Sequence, residues 1–400
     1  MGNDAGTARP AIPVDQFLIA RGGPFYEVQR RLGLLHERAM RAPLRAAILV
    51  GLAWGVPLVL SALEGRALGP LAEAPYLLSL GAMARFGLAI AIFVLMERLV
   101  EERLKTHLGQ FVRAPLLAPS AIPAAADAVV RALGRLNSRI AELVCLILAA
   151  LITASPVTMS AGVKASSWLL TVTPEGDQLT LAGWWAVVVS NPLFWFLLLR
   201  WLWRQVVWSL LLREFARLEL RLVASHPDGA GGLAFLGQYP NAFAAFVFAV
   251  SSVLGAALAH ALLADELTPT VYGYVMGAWL VIVMGLFALP LFAFRTPLRR
   301  LKEATVLHAS AVATRHERAV ERKILGRNLA AAADASDATA GDVPDAAKLF
   351  AAGRKLSTQL FSRAALVPVG TAALLPLVAA GATRIPFADI LKIAKRLLLL

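Results

Sequence analysis

The sequence predicts an all-α polytopic membrane protein, with six transmembrane helices arranged as three outward hairpins and with helical cytoplasmic extensions. Three observations carry this prediction. Hydrophobic residues make up 58% of the 400-residue chain and charged residues 16%, with a mean hydropathy of +0.66, whereas soluble domains hold roughly 45–50% and ~25%. Six runs reach the roughly 20 apolar residues that cross a bilayer core. Lysine and arginine gather in alternate connections between those runs, as the positive-inside rule requires. The formal charge of +13 is thereby explained by topology, and nucleic acid is not an expected partner.

Residues 1–45 read as a cytoplasmic or interfacial segment. No basic stretch there runs directly into an apolar one, so no cleavable signal peptide is expected and the first span serves as its own anchor. Pro24 can open a helix with Phe25, Val28, Leu32 and Leu35 on one face and Arg30, Arg31, Arg38 and Arg41 on the other, which suits a helix lying against anionic headgroups. The spans are expected at 46–63, 77–96, 140–158, 181–203, 242–263 and 271–294, making 46–294 one membrane domain. Short, slightly acidic connections at 64–76, 160–180 and 264–270 should face outward. The long basic ones, 97–139 and 204–241, should face the cytoplasm of a bacterial cell, with both termini on that side of its inner membrane. Tryptophans 184 and 185 at one end of the fourth span, and 201, 203 and 208 at the other, fit two interfacial belts.

The two basic connections are too long for plain loops. Leu99, Leu104 and Leu108 continue the second span, prolines break the chain at 115–123, and 124–137 resumes a helix. The fourth span should run on through Leu220 until His226-Pro227 stops it, and the sixth to about Asn328, so that 295–329 is a continuing cytoplasmic helix. Residues 330–347 are alanine-rich with Asp334, Asp337, Asp342 and Asp345 interspersed, a flexible linker. Residues 348–400 read as a cytoplasmic or re-entrant hydrophobic segment, with a re-entrant or protein-buried hairpin on the cytoplasmic side. Their apolar part, 364–382, holds Pro368 and Pro376, and a spanning placement would leave Lys392, Lys395 and Arg396 outside, against the charge rule.

Within this frame the intramembrane polar residues are the functional candidates. Arg85 falls near the middle of the second span, where a charge costs roughly 2.5–3.5 kcal/mol on insertion scales. At similar depth in the fourth span, Ser190-Asn191-Pro192 offers a freed carbonyl and the Asn191 amide as partners. Glu142 and His260 lie close to interfaces, where charge is cheap. In the fifth span Ser251, Gly255 and Ala259 repeat every four residues, a close-packing stripe; Ser251 and Ser252 alternatively present hydroxyls to a wet pore.

The cytoplasmic turn His226-Pro227-Asp228, followed by Gly229, Gly231 and Gly232, is the other candidate, as a gate or ligand site or as a rigid corner with Asp228 as a cap. Its first three residues match the tripeptide of J-domain co-chaperones. The resemblance stops there, because Tyr239-Pro240-Asn241 then leads into a membrane run where a J-domain needs a soluble helix. No GxxxxGKS/T, HExxH or GxSxG pattern occurs, and the single cysteine, Cys145, sits in an apolar run. No enzyme activity, metal or other cofactor is therefore expected. The expected function is a channel or channel-like transport protein for ions or small solutes, assembled as a homo-oligomer in the lipid bilayer. The alternative is a membrane-anchored sensor or scaffold whose cytoplasmic helices recruit partners.

Overall fold

The computed structural model describes residues 12, 22–34, 41–68, 75–155, 167–173, 176–331, 346–361 and 363–399. Its helices are α1 (Pro24–Arg31), α2 (Ala42–Leu63), α3 (Leu80–Arg113), α4 (Pro119–Leu136), α5 (Arg139–Ala154), α6 (Leu181–Phe215), α7 (Ala234–Leu263), α8 (Pro269–Leu325), α9 (Ala346–Lys355), α10 (Arg363–Gly381) and α11 (Phe387–Leu399). Five of them, α2, α3, α6, α7 and α8, are long and apolar enough to cross a membrane, and α4 with α5 makes a sixth if that pair, bent by 41°, counts as one span. Side-chain oxygens fix four starts: Ser79, Ser138, Thr180 and Thr268 accept the first free N–H groups of α3, α5, α6 and α8. The expected linker beyond residue 331 and the end of the third run beyond residue 155 lie outside the described residues.

The helices pack into a bundle whose interior is aromatic and whose flanks are aliphatic. Phe93, Phe194, Trp201, Phe243, Phe287 and Tyr239 are buried, while Leu95, Leu146, Leu151, Val188, Val281 and Ile282 are exposed along the same spans. A water-soluble protein rarely exposes so continuous an apolar belt; this is the surface of a multi-pass membrane protein. One end of the bundle carries Arg45, Arg98, Arg200 and Arg204 and is called here the basic end.

Several expectations are corrected. Helix α6 stops at Phe215 rather than Leu220, because the backbone beyond it pairs with 116–118: Glu219 accepts the Ala118 N–H at 3.1 Å and Arg221 donates to Leu116 at 2.8 Å. Helix α8 ends at Leu325, where Gly326 takes a left-handed φ of 72°. The fold is not purely helical: a two-stranded hairpin, β1 (Leu170–Thr173) and β2 (Gly176–Leu179), forms at the end opposite the basic one. Its neighbour Leu169 carbonyl accepts the Thr180 N–H at the start of α6, and Gly183 is needed there because a Cβ would lie 2.2 Å from that carbonyl. Helix α1 docks on the bundle through part of its surface. Phe25 packs edge-on against Phe196 at 5.2 Å and Gln29 is buried, while Val28 and Leu32 are exposed.

Helix α10, expected as a re-entrant or protein-buried hairpin, runs the length of α7. Near the basic end a Cβ on Gly237 would lie 2.1 Å from the Leu360 carbonyl; midway, one on Gly255 would lie 2.9 Å from that of Pro376; at the far end Arg384 donates to the Leu263 carbonyl at 3.1 Å. The Tyr272 hydroxyl donates to the Leu377 carbonyl from the α8 side. One face of α10 is buried against the bundle, with Val369, Ala373, Leu374 and Leu377 covered, while Val367, Pro368 and Leu375 on the other face are exposed. Helix α11 then turns back along α8, with Ile393 and Leu397 beside Gly273 and Gly277.

Candidate functional site

Three spans widen into π-helix at one level of the bundle: Gly51–Gly55 in α2, Met83–Ala89 in α3 and Ala186–Ser190 in α6, and the first packs on each of the other two. The first has a direct cause in the sequence. Pro57 has no N–H, so the Ala53 carbonyl four residues before it loses its helical donor, and Val56 donates to Gly51, which leaves the Leu52 carbonyl free as well. Side chains of α6 replace them: Ser190 Oγ donates to Ala53 at 2.7 Å and Trp185 Nε1 to Leu52 at 2.9 Å. The Tyr76 hydroxyl takes the next carbonyl, Trp54, at 2.9 Å. Three successive carbonyls are thus held from outside their own helix. Such π segments recur at functional sites.

Arg85 lies in the second π segment. One terminal nitrogen donates to Asn191 Oδ1 at 3.0 Å, and the guanidinium sits 5.8 Å from the centroid of the Phe194 ring. Arg85 Nε and the nearby Trp54 Nε1 are buried with no acceptor among the described residues. The side chains expected at equal depth therefore meet, and they leave two donors unused.

Below them, toward the basic end, an aromatic group closes the α3–α6 seam. Phe93 lies 6.1 Å from Phe194 and 5.6 Å from Phe246, and Trp201 Nε1 donates to the Phe93 carbonyl at 3.0 Å. Beyond this plug is a buried ion cluster. Glu97 of α3 binds Arg45 of α2 at 2.7 Å and Arg204 of α6 at 3.2 Å, with Arg200 at 3.9 Å. Arg200 also pairs with Glu142 of α5 at 2.8 Å and donates to the Gly22 carbonyl at 3.0 Å, and the second Glu142 oxygen accepts the Phe25 N–H at 2.8 Å. Gln29 accepts from Arg45 at 2.5 Å. These side chains are 3–8% exposed. Three arginines against two glutamates leave one net positive charge.

Sequence reading missed most of this cluster. Arg200 and Arg204 look like charges that follow a span, and Arg45 like a boundary marker. The available signal was the four-residue spacing that puts Arg200 and Arg204 on one face of α6, with Glu97 at matching depth on α3.

The remaining candidates lie elsewhere. Ser251 is fully buried and accepts Trp279 Nε1 at 2.8 Å, while Ser252 donates to the Phe248 carbonyl of its own helix at 2.8 Å. Gly255 and Ala259 are buried too, and the small-residue stripe seats α10 of the same chain. His260 is exposed.

The His226 turn is a corner at the basic end. Asp228 Oδ1 accepts the Ala230 and Gly232 N–H groups at 2.9 and 3.0 Å, Oδ2 accepts that of Ala234 at 3.0 Å, and His226 Nδ1 lies 2.8 Å from Oδ1. Burial works to raise the Asp228 carboxyl, but these N–H groups and His226 outweigh it and hold the group below the usual aspartate range. Gly229, Gly231 and Gly232 have φ of 67°, 68° and 99°. The Gly229 carbonyl accepts the Ser357 N–H at 2.8 Å, and a Cβ on Gly232 would lie 2.8 Å from Leu116. Every carboxylate oxygen here already serves the backbone, as a helix cap does. Among the described residues no group of His, Cys, Asp and Glu is placed to hold a metal ion. No family model, curated protein or solved structure matches the chain.

Proposed function

We propose that this chain is a channel-like transport protein for small anions, with the path inside each protomer along the α3–α6 seam. One observation carries the reading: Arg85 and Trp54 hold unused donors at mid-depth, in line with a second buried cluster of net positive charge. Arginine-lined constrictions favour anions, and a charge is retained at such depth when it serves a path. The Phe93–Phe194–Phe246 group between the two sites is the barrier of a closed state. No covalent step is involved. Homo-oligomers then assemble parallel paths rather than one shared pore, since the small-residue face of α7 is occupied within the chain.

Reconstituted liposomes test this. Chloride or nitrate efflux above that of empty vesicles is expected from the wild type, with a loss of at least tenfold in Arg85→Ala and partial recovery in Arg85→Lys. Equal efflux from wild type and Arg85→Ala, or none from either across a panel of anions, overturns the proposal.

The second reading, a membrane-anchored scaffold or sensor, draws on α8. Its segment Arg295–Leu325 exposes Leu307, Ile324 and Leu325, and α9 packs on it through Gly353. Photo-crosslinking from Leu307 and Ile324 in cells distinguishes the two readings: a discrete heterologous adduct favours the scaffold.

A further inference from the structure

The 41° bend between α4 and α5 opens a groove of about 790 Å³ against α6. Its two ends differ in chemistry. Ile140, Val144, Leu148, Leu199, Leu202 and Val206 make an apolar wall that follows α5 for eight residues, about 12 Å at 1.5 Å per residue. At the basic end the wall gives way to Arg131, Arg135 and the Ser138 hydroxyl, with Trp203 beside them. Arg131 and Arg135 share a single counter-ion: Glu214 binds them at 2.8 and 2.9 Å. Two guanidinium groups against one carboxylate leave a positive charge, and the Arg131 side chain is 54% exposed.

We infer that this groove is a binding site for one anionic phospholipid, its acyl chain along α5 and α6 and its phosphate at Arg131 and Arg135. The length of the apolar wall suits the upper part of an acyl chain, and the charge at its mouth is the complement of a phosphodiester. A basic pocket between helices at the membrane boundary is the form that headgroup sites take, and guanidinium donors match phosphate oxygens in pairs. Trp203 Nε1 donates to the Arg135 carbonyl at 3.2 Å, which fixes an interfacial indole at the level where the glycerol backbone would sit. The site is separate from the α3–α6 path and does not depend on it.

Gly134 supplies a selective test, because a Cβ there meets no atom within 4 Å. Gly134→Leu therefore fills the groove from an open helix position while leaving both arginines and Glu214 in place. The full chain is reconstituted in equal phosphatidylglycerol and phosphatidylcholine, extracted, and examined by native mass spectrometry. The wild type is expected to retain one phosphatidylglycerol at least tenfold over phosphatidylcholine. Gly134→Leu, with an unchanged melting temperature, is expected to lose retention of both, and Arg131→Gln/Arg135→Gln to lose the preference between them. Equal retention of the two lipids by the wild type overturns the inference. So does retention of phosphatidylglycerol by Gly134→Leu at the wild-type level, whether or not the double arginine variant folds.

Discussion

Ser190 Oγ donates at 2.7 Å to the Ala53 carbonyl that Pro57 leaves without a donor on its own helix. A proline in one span is thus matched by a hydroxyl in another, and both residues are fully buried or nearly so. Ser190→Ala strands that carbonyl and should cost about 1–3 kcal/mol. Pro57→Ala restores a helical N–H, so the double variant Pro57→Ala/Ser190→Ala should melt higher than Ser190→Ala alone. Thermal unfolding of the four proteins in detergent measures the coupling.

Glu97 holds three arginines together. Removing a partner from a buried ion pair costs roughly 3–5 kcal/mol because the opposing charge is left uncompensated. Glu97→Gln should therefore be among the most destabilising single changes in the chain. Glu102→Gln serves as the control: its pair with Arg98 is exposed, with side chains 61% and 76% accessible, and solvent screening leaves such a pair little weight in stability. Melting temperatures of the two variants should differ clearly.

Asn191→Asp places a carboxylate against Arg85 without changing side-chain size. It neutralises the mid-depth positive charge while keeping the contact, so anion efflux should fall at least tenfold while the melting temperature holds or rises. Unchanged efflux contradicts a role for that charge in the path.

The Asp228 turn should be acid-sensitive. A carboxyl held below its unfolded value of about 3.9 contributes stability that is complete above that value and is lost as pH falls through the lower folded value. Protection of the Ala230, Gly232 and Ala234 amides against hydrogen exchange, corrected for intrinsic rates, should hold at pH 5 and above and decline in more acid solution. Asp228→Asn should weaken protection at neutral pH and flatten the dependence.

Gly237→Ala should loosen α10 at the basic end, since the new methyl would lie 2.1 Å from the Leu360 carbonyl. Limited proteolysis should then cut between α9 and α10 at least several-fold faster than in wild type, while Gly285→Ala, open on all sides, should leave the rate unchanged.

The spans were legible because hydropathy alone locates them: the runs at 46–63, 181–203 and 242–263 share a boundary residue with α2, α6 and α7. The Arg85–Asn191 contact was legible as well, since a charge at mid-depth has few partners at the same height. The ion cluster was not. A linear sequence places Arg200 and Arg204 at the end of an apolar run but cannot say whether they face headgroups or Glu97. That the proline-bearing run at 364–382 packs on protein was legible, because its prolines argue against a lipid-facing span; that α7 is its partner was not, because nothing in a linear run names its neighbour. The hairpin of β1 and β2 was too short to rise above the turn residues around it.

The position of α10 also bears on the order in which the protein is made. Leu263 and Arg363 are 100 residues apart in the chain, roughly five to twenty seconds of synthesis at ~5–20 residues per second. For that interval the face of α7 bearing Gly255 has no occupant, and membrane insertion of α7 and α8 precedes their final packing. Until α10 arrives, the half-built protein presents a temporary cleft that membrane chaperones and proteases can recognise.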